Sequence, residues 1–182
     1  FKTKKICTVH NSFDEDDYSH AQVEKYQKFT IAHIGSMYGT RNADVLFRAI
    51  RLLEQEVEPS SLNLEVLFAG MNDRNLQEKV RDEKLDTYVK IRGVVPHRDA
   101  MEIMMRAHLL LLIKMTGTGS LGQIPGKFFE YLGTRNRIIC IGPKQSEVAQ
   151  MIEEMGVGFT VEHDELEMFR ILKDAYSRFL QG

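Results

Sequence analysis

The sequence predicts an α/β protein: a doubly wound, mostly parallel sheet of six strands with helices on both of its faces. From residue 29 onward, short apolar runs alternate with longer segments in which apolar residues recur at helical spacing, and this alternation is typical of parallel sheets. Three of the first four apolar runs end at or beside a glycine, as a tight turn into a helix requires. Right-handed crossovers then favour strand order 3-2-1-4-5-6, that of a Rossmann-like sheet.

The elements follow from the length and spacing of the apolar residues. The predicted strands cover residues 29–35, 64–70, 88–93, 108–113, 137–141 and 158–161. The predicted helices cover residues 43–57, 73–84, 97–107, 145–155 and 164–180, with a further helix that starts at Pro125. Asn42 or Asp44 is expected to cap the first helix and Asp164 the last, because their side-chain oxygens accept hydrogen bonds from first-turn amides.

Composition and charge exclude several classes of protein. A chain of 182 residues with 43% hydrophobic content suits one domain with a full core. The formal net charge of −2 gives no electrostatic basis for a dedicated nucleic-acid binder. No apolar run is long enough to span a membrane, and the first residues lack the apolar core of a signal peptide.

Cysteine and histidine usage points to a reducing compartment and to no metal site. Cys7 and Cys140 match neither a disulfide framework nor a metal pair, which predicts the cytoplasm. The six histidines lack zinc-ligand spacing. His33 and His108 fall in predicted strands, where we expect buried, hydrogen-bonded histidines and not ligands.

Residues 1–28 stand outside the alternating pattern. Residues 4–9 could form one strand, and the polar stretch that follows lacks the ligand spacing and central glycine of a calcium loop. We interpret residues 1–28 as an interdomain linker with a possible strand, and residues 29–182 as the domain. Because the chain does not begin with methionine, we expect it to be a fragment of a longer protein.

Residues 122–142 have the layout of an anion-binding helix set between two apolar runs. Pro125 suits the first helical position, and the amides of residues 126–128 then have no partner within the helix. Those donors and the helix dipole favour a phosphate or carboxylate, and Lys127 adds a positive charge. Glu130 shares the face of Lys127, roughly 7 Å along the axis from the helix start, comparable to the span from a pyrophosphate to a ribose hydroxyl. The alternative is a surface helix with an exposed Lys–Glu pair.

Two loops are expected to border this helix start. The glycines of residues 117–122 (GTGSLG) would give a phosphate close access to the backbone; the segment follows the fourth strand and not the first, so it predicts no nicotinamide cofactor. Gly35 and Ser36 lie in the turn after the first strand, where backbone must approach a ligand. Arg41, near the start of the next helix, could clamp a phosphate. A mobile loop without a ligand and a solvated arginine remain the alternatives.

The loop after the third strand contributes Val94 and Val95, whose backbone groups could border a base; a structural turn is the alternative. No serine, cysteine or histidine stands in a nucleophile motif such as the strand-turn-helix serine elbow. The residues therefore indicate a binding site and identify no catalytic residue.

Taken in chain order, these segments resemble the C-terminal, donor-binding domain of a GT-B glycosyltransferase of the group 1, retaining type, which includes enzymes of bacterial polysaccharide assembly. The resemblance covers nearly the whole chain. It is carried by residues 29–50, 64–70, 89–113 and 124–142, and residues 11–18 resemble the Asn-x-x-Asp segment by which that family's chain leaves its N-terminal domain.

The resemblance implies that the ligand is a nucleotide-diphosphate sugar. It makes Glu130 the partner of the ribose hydroxyls and assigns Lys127 and Arg41 to the phosphates. The residues that it places beside the diphosphate and the sugar are Gly119, Gly122, Gln123 and Ile124. Many members carry a second glutamate eight positions before the first, in contact with the sugar; Gly122 stands at that position here, so no carboxylate is assigned to the sugar.

The resemblance also implies the partners. An N-terminal acceptor-binding domain of the same full-length protein would complete a transferase that works in the cytoplasm or at the inner face of the membrane, with no cofactor and no nucleic acid. The donor-binding half, which is the present chain, would be inactive alone. Two other functions stay open: a stand-alone nucleotide-binding regulatory domain, and a sugar-nucleotide epimerase of the GT-B fold.

Overall fold

A computed structural model describes residues 7–18, 23–57, 61–71, 74–117 and 119–182 of the chain. The strands are β1 (Phe29–Ile34), β2 (Leu64–Ala69), β3 (Val89–Arg92), β4 (Leu109–Ile113), β5 (Arg137–Ile141) and β6 (Gly158–Val161). The helices are α1 (Asp44–Glu56), α2 (Arg74–Asp82), α3 (His97–Arg106), α4 (Gly126–Gly133), α5 (Glu147–Glu154) and α6 (Glu165–Gln181).

The six strands form one sheet in the order β3-β2-β1-β4-β5-β6, and every neighbouring pair is parallel. The predicted fold class and strand order are therefore confirmed. Every predicted strand begins and ends within one residue of the observed strand. The apolar pattern was sufficient for this because each run is bounded by polar residues or glycine.

Strand side chains alternate between two cores, one on each face of the sheet. In β4, Leu109, Leu111 and Ile113 join the core that α1, α2 and α6 cover, while Leu110 and Leu112 join the core that α3, α4 and α5 cover. All five residues are buried, as expected for a strand covered on both faces. Each such side chain contributes roughly 1.5–3 kcal/mol relative to an exposed one.

The predicted helix caps are confirmed at one end of the domain and wrong at the other. Asp164 caps α6, where its carboxylate accepts hydrogen bonds from two first-turn amides, each at 2.9 Å. At α1 neither Asn42 nor Asp44 is the cap; Ala43 holds that position without a side-chain hydrogen bond. The side chain of Asn42 accepts from the amide of Asp44, the first residue of α1, at 2.6 Å, in an Asx-turn that lies one residue ahead of the N-cap position.

The N-terminal segment is described only in part. Half of the strand predicted at residues 4–9, residues 4–6, lies outside the described ranges, and residues 7–9 have no regular structure. The described part contains one short 3₁₀ helix, Glu15–Asp17. The interpretation of residues 1–28 as a linker stays a prediction.

The described part of this segment packs against α4. The rings of Phe13 and Tyr18 lie on Gly133, where a Cβ atom would come within 2.4 Å of the Tyr18 ring. The Tyr18 hydroxyl donates to the backbone oxygen of Glu130 at 2.8 Å. Gly133 is thus required by packing, since any larger residue would displace the two rings.

The sheet opens between β1 and β4. These strands pair only at Ile31–Leu109 and Ala32–Leu110, whereas β1 pairs with β2 along all six of its residues. Beyond Ala32 the facing backbone groups of the two strands need other partners. This is the point where the chain order of the strands reverses, and such switch points are where doubly wound sheets bind ligands.

Two side chains satisfy the backbone groups that this opening frees. The hydroxyl of Tyr131, a fully buried residue of α4, accepts from the amide of Ile34 at 3.0 Å and lies 3.2 Å from the backbone oxygen of Leu111, to which it donates. His33 Nδ1 lies 2.8 Å from the same oxygen. Burial raises the pKa of Tyr131, so the hydroxyl keeps its proton. Helix α4 is thereby fastened to both strands at the switch point.

Replacing Tyr131 by phenylalanine is expected to lower the free energy of unfolding by about 1–3 kcal/mol, because the partly buried amide of Ile34 would lose its acceptor. Urea titration measures the loss. The matched control is Tyr88→Phe, whose hydroxyl reaches the partly exposed carboxylate of Glu54 at 3.2 Å and is expected to cost less. Equal stability of the Tyr131→Phe and wild-type proteins would contradict the proposed bridge.

Candidate functional site

A lysine and a glycine meet at the carboxyl end of β1. Gly35 has φ of +121°, which side-chain-bearing residues rarely adopt, and a Cβ atom there would come within 2.5 Å of Lys127 Nζ. Lys127 Nζ also lies 3.3 Å from His33 Nε2. The first turn of α4 therefore carries the Lys127 ammonium directly over the turn that follows β1. Ser36, the next residue, is partly buried at the same edge.

Arg41 brings a second cation to the same place. Its Nε donates to the backbone oxygen of Ile113, at the end of β4, at 3.3 Å, and its guanidinium lies over the ring of Tyr38, 4.9 Å from the centroid. Its Nη1 atom is buried and has no hydrogen-bond partner among the described residues. Arg41 is thus fixed at one nitrogen and by one ring, while a further donor stays unused.

The two cations repel each other across the site. Burial, and then the positive charge of Arg41, lowers the pKa of Lys127 to about 8, while the carboxylate of Glu130 acts in the opposite direction. The excess of positive charge favours an anion between Lys127 and Arg41. Glu130 lies one turn along α4 and is partly exposed.

The start of α4 differs from the prediction by one position. Pro125 is not the first helical residue but the N-cap, with an extended backbone (φ −64°, ψ 135°). Its carbonyl accepts from the amide of Phe128 at 3.0 Å, so that amide is not free. The amides of Gly126 and Lys127 have no partner within the described ranges. The helix start thus offers two donors and not the three that were predicted.

Two hydrogen bonds, one from the residue after β4 and one from the start of α5, hold the loop of residues 119–124 in place. Lys114 follows β4 directly and is 2% exposed, and its Nζ donates to the backbone oxygen of Gln123. Burial lowers the pKa of Lys114. The amide of Glu147, at the start of α5, donates to the backbone oxygen of Leu121 at 2.9 Å. The loop that was expected beside a phosphate is therefore anchored to β4 and to α5.

The remaining predicted residues lie along the same edge of the sheet. Gly119 and Gly122 are exposed, and a Cβ atom on Gly122 would lie 4.0 Å from Glu147 Oε2, so a carboxylate does border that position. Ile124 is partly buried against the core under α3, α4 and α5. Val94 is 78% exposed and Val95 partly buried, at the end of β3, two strands from β1.

Sequence reasoning missed three residues that build the site. His33 is buried and hydrogen-bonded, as expected, but it also faces Lys127. Tyr131 was not singled out, and nothing in a helical pattern distinguishes its hydroxyl from a solvent-facing one. Lys114 did carry a signal: a lysine directly after five apolar residues, at the carboxyl end of a buried strand. His108 lies one residue before β4, half-buried, with Nδ1 accepting from the amide of Thr30 at 3.0 Å.

Across the described ranges, no group of three or more His, Cys, Asp or Glu residues is placed to hold a metal ion. None of the helices in the same part of the chain is both long and apolar enough to cross a membrane.

The fold is shared with solved structures of glycosyltransferases. A TarM mutant from S. aureus, crystallised with UDP among its ligands, aligns with a TM-score of 0.69 over 97% of this chain and 34% of TarM, at 16% identity. The C-terminal domain of LpcC, a group 1 family glycosyl transferase from Francisella tularensis, aligns with a TM-score of 0.58 over 90% of this chain and 82% of that domain, at 14% identity.

A putative UDP-N-acetylglucosamine 2-epimerase from Listeria monocytogenes also shares the fold, with a TM-score of 0.58 over 92% of this chain and 40% of the epimerase, at 10% identity. No protein-family model and no curated protein sequence matches the chain. The fold is that of the C-terminal domain of a GT-B glycosyltransferase of the group 1 type, which confirms the resemblance at the level of structure. The chain spans about a third to two fifths of the length of TarM and of the epimerase.

Replacing Lys114 by methionine is expected to loosen the loop of residues 119–124, because the Gln123 carbonyl loses its buried donor while the apolar stem is kept. Hydrogen exchange followed by mass spectrometry should show faster exchange in that loop and unchanged exchange in β4. The matched control is Lys144→Met, which removes an exposed lysine paired with Glu167. Unchanged exchange in the Lys114→Met loop would contradict the anchoring role.

Proposed function

We propose that this chain is the donor-binding half of a retaining GT-B glycosyltransferase. It binds a nucleotide-diphosphate sugar and, together with an N-terminal domain of the same protein, transfers the sugar to a saccharide or lipid-linked acceptor. The observation that carries the proposal is the pair of cations at the switch point, Lys127 and Arg41, with Arg41 Nη1 buried and unpartnered in the described part of the chain. A buried donor left unpaired costs about 1–3 kcal/mol, and a phosphate oxygen would remove that cost.

The proposed roles follow from the positions of the groups. Lys127, Arg41 and the free amides at the start of α4 bind the diphosphate and stabilise the charge that develops on it as it leaves. Glu130 accepts from the ribose hydroxyls, one helical turn away. Gly35 and Ser36 let the ligand approach the backbone after β1. The other proposed contacts are those of residues 119–124 with the diphosphate and sugar, and of Val94 and Val95 with the base.

Several features support the donor and the partner domain in this proposal. TarM, which shares the fold, was crystallised with UDP. Transfer requires donor and acceptor to be held in reacting geometry. We place the acceptor-binding wall in the N-terminal domain, so this half alone binds the donor without transferring its sugar.

We place the full-length protein in the cytoplasm, with the inner membrane surface as the site of a lipid-linked acceptor. The free thiols of Cys7 and Cys140 are compatible with that compartment.

A second candidate is a sugar-nucleotide epimerase, since the epimerase from Listeria monocytogenes shares the fold. The full-length protein distinguishes the two functions. An epimerase interconverts the sugar nucleotide without an acceptor, whereas a transferase releases the nucleoside diphosphate and joins the sugar to the acceptor.

Titration calorimetry tests the proposed function. The panel is uridine, guanosine and adenosine, their diphosphates, and the corresponding diphosphate sugars. One base series is expected to bind, with the diphosphate tighter than the nucleoside. Glu130→Gln should weaken the binding of that diphosphate by about 1–3 kcal/mol, the range for charge-assisted hydrogen bonds. Glu154→Gln on α5 is the exposed control and should change nothing; absence of binding across the panel would refute the proposal.

Binding of the diphosphate is expected to weaken as the pH rises above 8. In the free protein the pKa of Lys127 is lowered to about 8, mainly by burial and by Arg41, with Glu130 opposing. A bound phosphate stabilises the ammonium and raises that pKa, so binding above pH 8 requires proton uptake. The affinity should fall by up to about tenfold per pH unit between the free and bound pKa values. Titrations from pH 7 to 10 measure the slope; Lys127→Met should abolish it, and an equal slope in both proteins would assign it to another group.

A further inference from the structure

His33 is a buried titratable group to which the proposed function assigns no role. It is 0% exposed, at the carboxyl end of β1, with its ring tilted against Phe68. Its Nδ1 lies 2.8 Å from the backbone oxygen of Leu111. A carbonyl oxygen only accepts hydrogen bonds, so Nδ1 must carry the proton. The neutral ring therefore presents Nε2 as an unprotonated acceptor.

The environment keeps this ring neutral. Burial, and then the positive charge of Lys127, lowers the pKa of His33 to about 3, so the ring is uncharged throughout the physiological range. Nε2 is directed at Lys127 Nζ, 3.3 Å away. A neutral acceptor can orient an ammonium without cancelling its charge, whereas a carboxylate at this place would form an ion pair and compete with an incoming phosphate.

We propose that His33 is a positioning residue for the anion site: its Nε2 accepts a hydrogen bond from Lys127 and holds the ammonium over Gly35, with the other two N–H donors free for a diphosphate. The inference rests on the proposed function of the site. The hydrogen bond restricts a long, flexible side chain before the ligand arrives, so less conformational entropy is lost on binding. His33 is itself fixed by the Leu111 oxygen, which is accessible because β1 and β4 separate there.

The first arm of the test needs no ligand. Nitrogen-15 NMR of the wild-type chain should show His33 with a protonated Nδ1 and an unprotonated Nε2. Lys127→Met should move the Nε2 resonance toward the frequency of an imidazole nitrogen that accepts no hydrogen bond. The Nδ1 resonance should stay unchanged. A proton on Nε2, or an Nε2 resonance that does not respond to Lys127→Met, would overturn the proposal whether or not nucleotides bind.

The second arm measures pyrophosphate affinity in a double-mutant cycle of His33→Asn and Lys127→Met. The shorter asparagine amide keeps a donor near Nδ1 for Leu111 and removes the acceptor at Nε2. We expect pyrophosphate binding to weaken about fivefold in the wild-type background, the typical net effect of one hydrogen bond, and less than about twofold when Lys127 is already methionine. Equal losses in both backgrounds would show a merely structural effect and overturn the proposal.

His33→Gln is the conservative rescue, because the longer amide places an acceptor near the position of Nε2. It should retain most of the wild-type pyrophosphate affinity. Affinity for the nucleoside without phosphates should stay the same in all His33 variants that fold, as judged by urea titration. If wild-type protein binds neither pyrophosphate nor any nucleoside diphosphate, the proposed function fails, and the nitrogen-15 measurement still decides whether His33 holds Lys127.

Discussion

The separation of β1 from β4 is the constraint on which the rest of the structure depends. The two strands pair only at Ile31–Leu109 and Ala32–Leu110, and the backbone groups beyond Ala32 and Leu110 must be satisfied by side chains. Tyr131 does this with one hydroxyl, as acceptor for Ile34 and donor to Leu111. Tyr131 and Lys127 are four residues apart on α4 and share a face. The hydrogen bonds by which Tyr131 bridges β1 and β4 therefore also set where the Lys127 ammonium lies.

The electrostatics of the opening differ from those of the surface. Elsewhere, cations face carboxylates in exposed pairs such as Arg48–Glu165 and Lys144–Glu167, which contribute little to stability. At the opening, burial and then the charge of the Arg41 guanidinium lower the pKa of Lys127, and the carboxylate of Glu130 offsets this only in part. A fold that keeps two partly buried cations together gives up stability at that place, and such local conflicts are typical of binding sites.

The sequence was a good guide to the elements and a poor guide to the contacts that join them. Apolar periodicity located the strands because side-chain direction repeats along each one. It could not assign the cap of α1 or the role of Pro125, because both depend on which amide a neighbouring carbonyl reaches. Lys127, Arg41 and Gly35 were predicted individually from local motifs, and the structure brings them together. The contact of His33 with Lys127 joins residues 94 positions apart, and no local pattern encodes it.

The N-terminal segment reaches the site through the same helix. The Tyr18 hydroxyl donates to the backbone oxygen of Glu130, and the Tyr18 ring covers Gly133. The two contacts therefore fall three residues apart, near the C-terminal end of α4. Burial, and then the charge of Glu130, raises the pKa of Tyr18 to about 12, so this hydroxyl remains a donor at any physiological pH. Helix α4 thus carries the cation, the carboxylate and the bridge across the sheet, and it also receives the segment that the sequence predicts as the linker. The described part of that segment therefore contacts the same helix that carries Lys127 and Glu130.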